Sequence, residues 1–323
     1  MKAAQRDRYG SSAVIRIEDV AVPKPTETEV LVQVHASTVN RTDCALLAGR
    51  PLVMRFLTGL RAPKVQTLGV DFAGRIEAVG EDVTSFKVGD AVFGFNDLGA
   101  SSHAEYLAFP ANSAIRRVPE GLSFVDAAAC LEGGWYAYSF IRRAGGVRLD
   151  QRVLINGADG AIGSALLQFC VHFGAAVTAV GNTKNLPLFR SLGASQVFDY
   201  TRVHFTTEAR AADYDHVFDA VGKSSYGACE HLLKPHGKFS SSEVGRLGQN
   251  LFLAPITWAK RGKRVVFPLP VAKGAYLDFV GDLAARGEFH PVIERTYTLD
   301  QVREAYDYAA SGQKTGNLVL VFE

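Results

Sequence analysis

The stretch Val153-Leu154-Ile155-Asn156-Gly157-Ala158-Asp159-Gly160-Ala161-Ile162-Gly163 joins a short apolar run to three glycines spaced Gly-x-x-Gly-x-x-Gly. The chemistry open to such a stretch is anion binding. The pattern predicts a buried parallel strand, a tight turn, and a helix running on through Ser164-Ala165-Leu166-Leu167. The free N–H groups and dipole at the start of that helix favour a pyrophosphate. Glycine is needed where backbone approaches the phosphate or packs against the strand. Gly157, Ala158, Gly160, Ala161, Ile162 and Gly163 are therefore the expected phosphate-side residues. Other reactive side chains are scattered. The four cysteines, Cys44, Cys130, Cys170 and Cys229, lie far apart and form no Cys-x-x-Cys pair. Neither a structural zinc site nor a disulfide framework is expected from them.

The elements that must position this turn sit in a chain of 323 residues, long enough for two domains. Its 47% hydrophobic and 21% charged content is that of a folded globular protein. A net charge of +2 gives no reason to expect a nucleic acid or an acidic membrane surface as partner. No apolar run reaches membrane-spanning length, and the start lacks the apolar stretch of a secretory signal. A cytoplasmic location is expected.

Residues 1–122 read as mostly β, with strands expected over 29–36, 70–80, 91–95 and 103–109 and a glycine turn at Gly89-Asp90. Ser123 then reads as the N-cap of a helix. Strands at 152–156, 176–180, 196–199, 214–219 and 237–241 alternate with helices at 161–173, 184–192 and 224–233. That alternation predicts a parallel sheet covered on both faces. Residues 246–263 read as irregular, and 264–267 as a closing strand. Helices follow at 275–285 and 301–310. The final strand, 317–322, is expected to pair back into the first domain.

With the glycine turn, four further segments carry a resemblance: Val39-Asn40-Arg41-Thr42-Asp43, Leu68-Gly69-Val70-Asp71-Phe72-Ala73-Gly74, Phe86-Lys87-Val88-Gly89-Asp90, and Asn182-Thr183-Lys184-Asn185. Over essentially its whole length the chain resembles the medium-chain dehydrogenase/reductases, specifically their zinc-free quinone oxidoreductase-like branch of quinone and 2-alkenal reductases. The resemblance implies an α/β fold: a Rossmann doubly wound parallel sheet with a GroES-like β-barrel catalytic domain. Residues 1–122 and 268–323 would form the catalytic domain and 123–267 the nucleotide domain, with the active site in the cleft between them and a homodimer as the assembly. The zinc alcohol dehydrogenases of this superfamily carry a Cys near the first marker and a His-Glu pair after the glycine of the second. Here Asn40 to Asp43 and Val70-Asp71 stand instead, leaving Cys44 and Asp71 as isolated potential ligands; no metal is expected. Without a metal to polarise an alcohol, the accessible reaction is hydride transfer to an electrophilic quinone or α,β-unsaturated carbonyl, with the nicotinamide carrying the chemistry.

An NAD-preferring domain presents an acid to the ribose hydroxyls at the end of its second strand. Here that position runs into Asn182, Thr183, Lys184 and Asn185 with no acid. A lysine among neutral hydrogen bonders suits a 2′-phosphate. By resemblance these four residues and Tyr200 bind NADP(H); the alternative reading is a solvated helix cap. The resemblance also places Asn40 and Asn317 beside the nicotinamide and Val221 and Gly222 against the cofactor, with Asp43 securing its turn. The chain departs from the family pattern at Arg41, at Cys44-Ala45, and at Glu132-Gly133-Gly134-Trp135-Tyr136. Glu132 and Tyr136 read either as a substrate-facing polar pair or as buried structural hydrogen bonders. Two rival functions stay open. One is an enoyl-thioester reductase with Arg55, Arg61 and Lys64 along a basic channel. The other is a non-catalytic NADPH-binding sensor or scaffold.

Overall fold

The computed structural model describes residues 1–245 and 248–322, with Val53 described by its backbone only. The chain divides into two compact units, residues 1–132 with 273–323, and residues 133–272. Both joins differ from the expected 122/123 and 267/268. The helix Phe124–Ala129, capped by Ser123 accepting from the Asp126 N–H, buries Ala127, Ala128 and Ala129 against the strands Glu29–Thr38 and Asp71–Val79 of the first unit. The segment before Lys273 stays with the second unit. There Trp135 Nε1 donates to the Val271 carbonyl at 3.0 Å, and Arg143 to the carbonyls of Leu269 and Pro270.

The first unit is built on a seven-stranded sheet in the order Ile293–Thr298, Asn317–Val321, Glu29–Thr38, Asp71–Val79, Ala91–Phe95, Ile115–Arg117, with Tyr106–Pro110 also pairing Glu29–Thr38. Val30, Val32 and Val34 alternate inward from the central strand onto Phe72, Ile76, Val92, Leu107, Phe109 and Ile115. The tail does return: Val319, Leu320 and Val321 pair antiparallel with Thr38, Ser37 and Ala36. A second apolar cluster lies under the helix Val302–Ser311, whose Val302, Ala305, Tyr306 and Ala309 fall on one face at helical spacing. Strands Lys2–Gln5 and Arg16–Asp19, helix Arg41–Ala48 and strand Ile293–Thr298 add to the elements anticipated from sequence.

The described residues of the second unit form a six-stranded parallel sheet, ordered Gln196–Asp199, Ala176–Gly181, Arg152–Asn156, Tyr214–Asp219, Leu233–Ser241, Arg264–Val265. In chain order this is 3-2-1-4-5-6, with the switch between the first and fourth strands, the place where such sheets take ligands at their carboxyl ends. Val153, Leu154 and Ile155 are fully buried, as expected of a strand covered on both faces. Two expected helices are shorter and broken. The 184–192 segment is a 3-10 turn Thr183–Asn185 leading into Leu186–Ser191, and the 224–233 segment is Tyr226–Cys229 followed by Glu230–Leu232. The expectation of an irregular 246–263 is corrected. Residues Gln249–Ala259 are helical, because Leu253 and Ala254 pack on the cluster around Phe239 and Val265; Arg246 and Leu247 lie outside the described residues. Among the described residues no helix is long and apolar enough to cross a membrane.

Candidate active site

In the second unit the strand Arg152–Asn156 ends at Gly157, which has φ 81°, a conformation costly for any residue with a Cβ. A Cβ on Gly157 would stand 2.3 Å from Val221 Cγ1, and one on Gly163 would stand 2.0 Å from the Gly157 carbonyl oxygen. These two glycines let strand, turn and helix close on each other. Gly160 differs: a Cβ there meets nothing within 4 Å. It caps the helix Ala161–His172 without any side-chain acceptor for the first-turn N–H groups. A helix start with room at its glycine cap is the kind of backbone that suits an anion. Val221 and Gly222 follow Asp219, whose carboxylate accepts from Asn156 Nδ2 at 3.0 Å, the Ser224 N–H at 2.9 Å and Ser241 Oγ at 3.1 Å. That side chain ties three strand ends together.

The loop after Ala176–Gly181 brings Asn182, Thr183, Lys184, Asn185 and Tyr200 together. Asn182 Oδ1 caps the Lys184 N–H at 3.2 Å, and Asn182 Nδ2 reaches the Tyr200 hydroxyl at 3.3 Å. Lys184 and Tyr200 are exposed. The sequence reading of a site without acids needs correction. Asp159, from the glycine turn, accepts from the Asn182 N–H at 3.1 Å and from Asn185 Nδ2 at 2.5 Å. Asp199 accepts from the Thr183 hydroxyl at 2.5 Å. Both carboxylates are engaged by the loop's own donors and hold it in shape. Asp159 lay in plain view within the glycine motif. Its role was hidden because the contact crosses more than twenty residues of chain.

The first unit gathers Asn40, Glu132 and Asn317 with residues the sequence reading passed over. Asn40 caps the helix Arg41–Ala48, its N–H donating to Asp43 Oδ2 at 2.9 Å, so Asp43 secures the turn as anticipated. Asn40 Nδ2 donates to Thr38 Oγ1 at 2.8 Å and to Asn317 Oδ1 at 3.3 Å. Asn40 Oδ1 accepts from Lys314 Nζ at 2.9 Å. Below it, both oxygens of the fully buried Asp71 accept from Thr38, the N–H and the hydroxyl each at 2.6 Å. Burial raises the Asp71 carboxyl to about 7 against these bonds, and raises Asp43 and Glu132 as well. His103 is held neutral by burial, at about 4. Its Nε2 therefore donates to the Thr38 carbonyl at 2.9 Å, and its Nδ1 accepts the Tyr306 hydroxyl at 3.3 Å. Thr42 donates to Glu132 Oε1 at 2.5 Å. Glu132 opens the helix Glu132–Arg143, and Tyr136, one turn on and half-buried, lies 5.2 Å from the Trp135 ring. Arg55 is stacked 4.5 Å over Tyr9 and bonded to the Gly49 carbonyl, so it is held by the fold; Arg61 and Lys64 are exposed.

Residues 26–120 match the alcohol dehydrogenase GroES-like domain, and residues 192–320 match a zinc-binding dehydrogenase domain. A 2-methylene-furan-3-one reductase of Solanum lycopersicum is 30% identical over 99% of this chain and 79% of its own length. The chain is a medium-chain dehydrogenase/reductase of the quinone oxidoreductase-like kind. A chloroplastic quinone-oxidoreductase of Triphysaria versicolor is 29% identical over 99% of this chain and 98% of its own. The solved quinone oxidoreductase from Coxiella burnetii superposes with a TM-score of 0.87 at 25% identity, covering 100% of this chain and 99% of that one. The family is nicotinamide-dependent, and the protein is an oxidoreductase.

The zinc that one family name implies does not fit this medium-chain dehydrogenase/reductase. Asp71 has both oxygens committed to Thr38. The Cys44 thiol, raised by burial to about 12, points its Sγ at the Tyr306 carbonyl, 3.7 Å away. Zinc binds thiolate, not thiol, and Val70 supplies no donor. Among the described residues no group of three His, Cys, Asp or Glu is placed to hold a metal.

Proposed function

We propose that the protein is an NADPH-dependent reductase of quinones or α,β-unsaturated carbonyls. The observation that carries this is the Asn40 network, where amide and ammonium donors meet and the zinc-ligand positions are spent on internal hydrogen bonds. Such a site suits an acceptor that is already electrophilic and needs orientation and a proton rather than a Lewis acid. The bound nicotinamide would supply the hydride. The chain would hold its pyrophosphate at Gly157, Ala158, Gly160, Ala161, Ile162 and Gly163, with Val221 and Gly222 alongside, and its nicotinamide end at Asn40 and Asn317. Asn182, Thr183, Lys184, Asn185 and Tyr200 would read the 2′-phosphate. The support is the exposed Lys184 beside two neutral hydrogen bonders, with both nearby carboxylates engaged inward. Glu132 and Tyr136 are proposed to face the substrate, Tyr136 donating to the developing oxyanion.

The reading includes a cytoplasmic homodimer. The assembly alone is supported by Leu251, Phe252, Ile256 and Trp258, which stand exposed on the helix Gln249–Ala259. The function is tested by following NADPH and NADH consumption with phenanthrenequinone, an alkenal and crotonyl-CoA. Turnover of the first two with NADPH is expected. A preference for crotonyl-CoA would move the protein to the enoyl-thioester reductases. No turnover of any acceptor would make it a cofactor-binding protein.

A further inference from the structure

Lys314 lies in the turn between the helix Val302–Ser311 and the strand Asn317–Val321. Its ammonium donates to Asn40 Oδ1 at 2.9 Å and to the Gly316 carbonyl. Both acceptors are neutral, and among the described residues no carboxylate forms an ion pair with it. An ammonium carries three N–H donors, so one remains after these two bonds. The carboxyls around it are otherwise engaged. Asp71 accepts from Thr38, Asp43 from the Asn40 N–H, Glu132 from Thr42, and Glu294 from the Thr315 N–H at 2.7 Å. Among the described residues Asp43 Oδ1 is buried without a partner, and Lys314 Nζ keeps one N–H beyond its bonds to Asn40 and Gly316.

We propose that Lys314 supplies the proton that completes reduction of the acceptor, with Asn40 positioning its ammonium; this rests on the reductase reading above. Hydride addition to an enone carbon breaks the C=C π bond and leaves an electron pair on the carbonyl oxygen. An Nζ–H bond then breaks, an O–H bond forms, and the pair stays on nitrogen. Water restores the ammonium. For a quinone the same count gives the hydroquinone. Burial draws the amine down to about 8, while Glu132, Cys44, Glu294 and Asp43 all pull it back up. The ammonium therefore persists below about pH 8 and gives up its proton more readily than an exposed lysine would.

Two measurements test this on the full chain. The first needs no cofactor: acetic anhydride labelling over a pH series, read by peptide mass spectrometry. Lys314 should reach half-maximal reactivity near pH 8, below the range of an ordinary lysine at about 10.4. The second is the pH profile of alkenal reduction for wild type, Lys314→Met, Lys314→Gln (which keeps a neutral donor to Asn40) and Glu132→Gln. Both Lys314 variants should lose about 100-fold or more in kcat, lose the alkaline limb near pH 8, and bind NADPH within about twofold of wild type. Glu132→Gln should move that limb to lower pH, since the carboxylate that supports the ammonium is gone. If wild type turns over but the Lys314 variants keep its kcat and limb, the lysine is structural and the proposal is overturned while the reductase reading stands. If wild type reduces no acceptor, both fall together. Labelling of Lys314 only in the range of an ordinary lysine, about pH 10.4, would also overturn it.

Discussion

Lys184 and Asp71 show how differently two charged side chains can serve one protein. Lys184 is exposed, beside Asn182 and Tyr200, and its proposed task is a charge-assisted hydrogen bond to a phosphate. Such a bond contributes about 1.5–3 kcal/mol, roughly 10- to 150-fold in affinity. Lys184→Ala is expected to weaken NADPH by that factor and leave NADH nearly unchanged; equal losses in fluorescence titrations would make it a residue of the fold. Asp71 is fully buried and raised by burial from 3.8 to about 7. A carboxyl raised in the folded state binds its proton more tightly there than in the unfolded chain. Its contribution to stability is therefore present below about pH 4 and lost as pH rises through about 7. Between roughly pH 5 and 8 the melting temperature of wild type should fall more steeply than that of Asp71→Asn, which has no proton to lose. Parallel slopes by calorimetry would refute this.

At the scale of elements, the glycine turn separates folding from binding. The strand Arg152–Asn156 and the helix Ala161–His172 approach closely only because Gly157 and Gly163 lack side chains. A methyl at Gly163 meets backbone at 2.0 Å, which a rotamer change cannot relieve. Gly163→Ala should cost about 1–3 kcal/mol and lower the melting temperature by several degrees. Gly160→Ala should leave it unchanged, since φ is −80° and the space is open. Because that space is where the pyrophosphate is proposed to lie, Gly160→Ala should still weaken NADPH about tenfold or more. Thermal shift and cofactor titration on the two variants decide the matter: a stable Gly163→Ala, or a Gly160→Ala with full affinity, would contradict the division.

At the scale of the whole molecule, the second unit leaves a row of large apolar side chains in solvent: Leu251, Phe252, Ile256 and Trp258, between 49% and 68% exposed. Beside them Arg264–Val265 is a two-residue edge strand pairing only with Leu233–Ser241 among the described residues. Apolar surface next to an unpaired edge is where a second copy would dock. Phe252→Glu with Trp258→Glu is expected to convert a dimer to a monomer by light scattering while the far-ultraviolet spectrum is kept. A wild-type monomer at micromolar concentration would remove the homodimer from the proposal.

The sequence by itself determined the parts of this protein that rest on local rules. Strand-turn-helix at Gly157 to Gly163 follows from residue types read in order, as do the Ser123 cap, the run of alternating strands and helices, and the returning tail at Asn317. The helix Gln249–Ala259 was illegible because its pattern is set by packing on Phe239 and Val265, residues distant from or beyond it in the chain. The two compact units divide at 132/133 and 272/273 because the helix Phe124–Ala129 packs on strands of the first unit and residues 269–271 bond to Trp135 and Arg143, contacts that local patterning does not display. Asn40 and Asn317 stood out by resemblance and Glu132 as a departure from the family pattern, whereas Lys314 is an ordinary lysine in a polar turn. Only the pairing of Asn317–Val321 with Glu29–Thr38 brings its amine to Asn40, 274 positions away. Asp159 is the same case in the second unit. Hydrogen bonds and desolvation depend on distance in space, so what a polar residue does was decided by the tertiary structure alone.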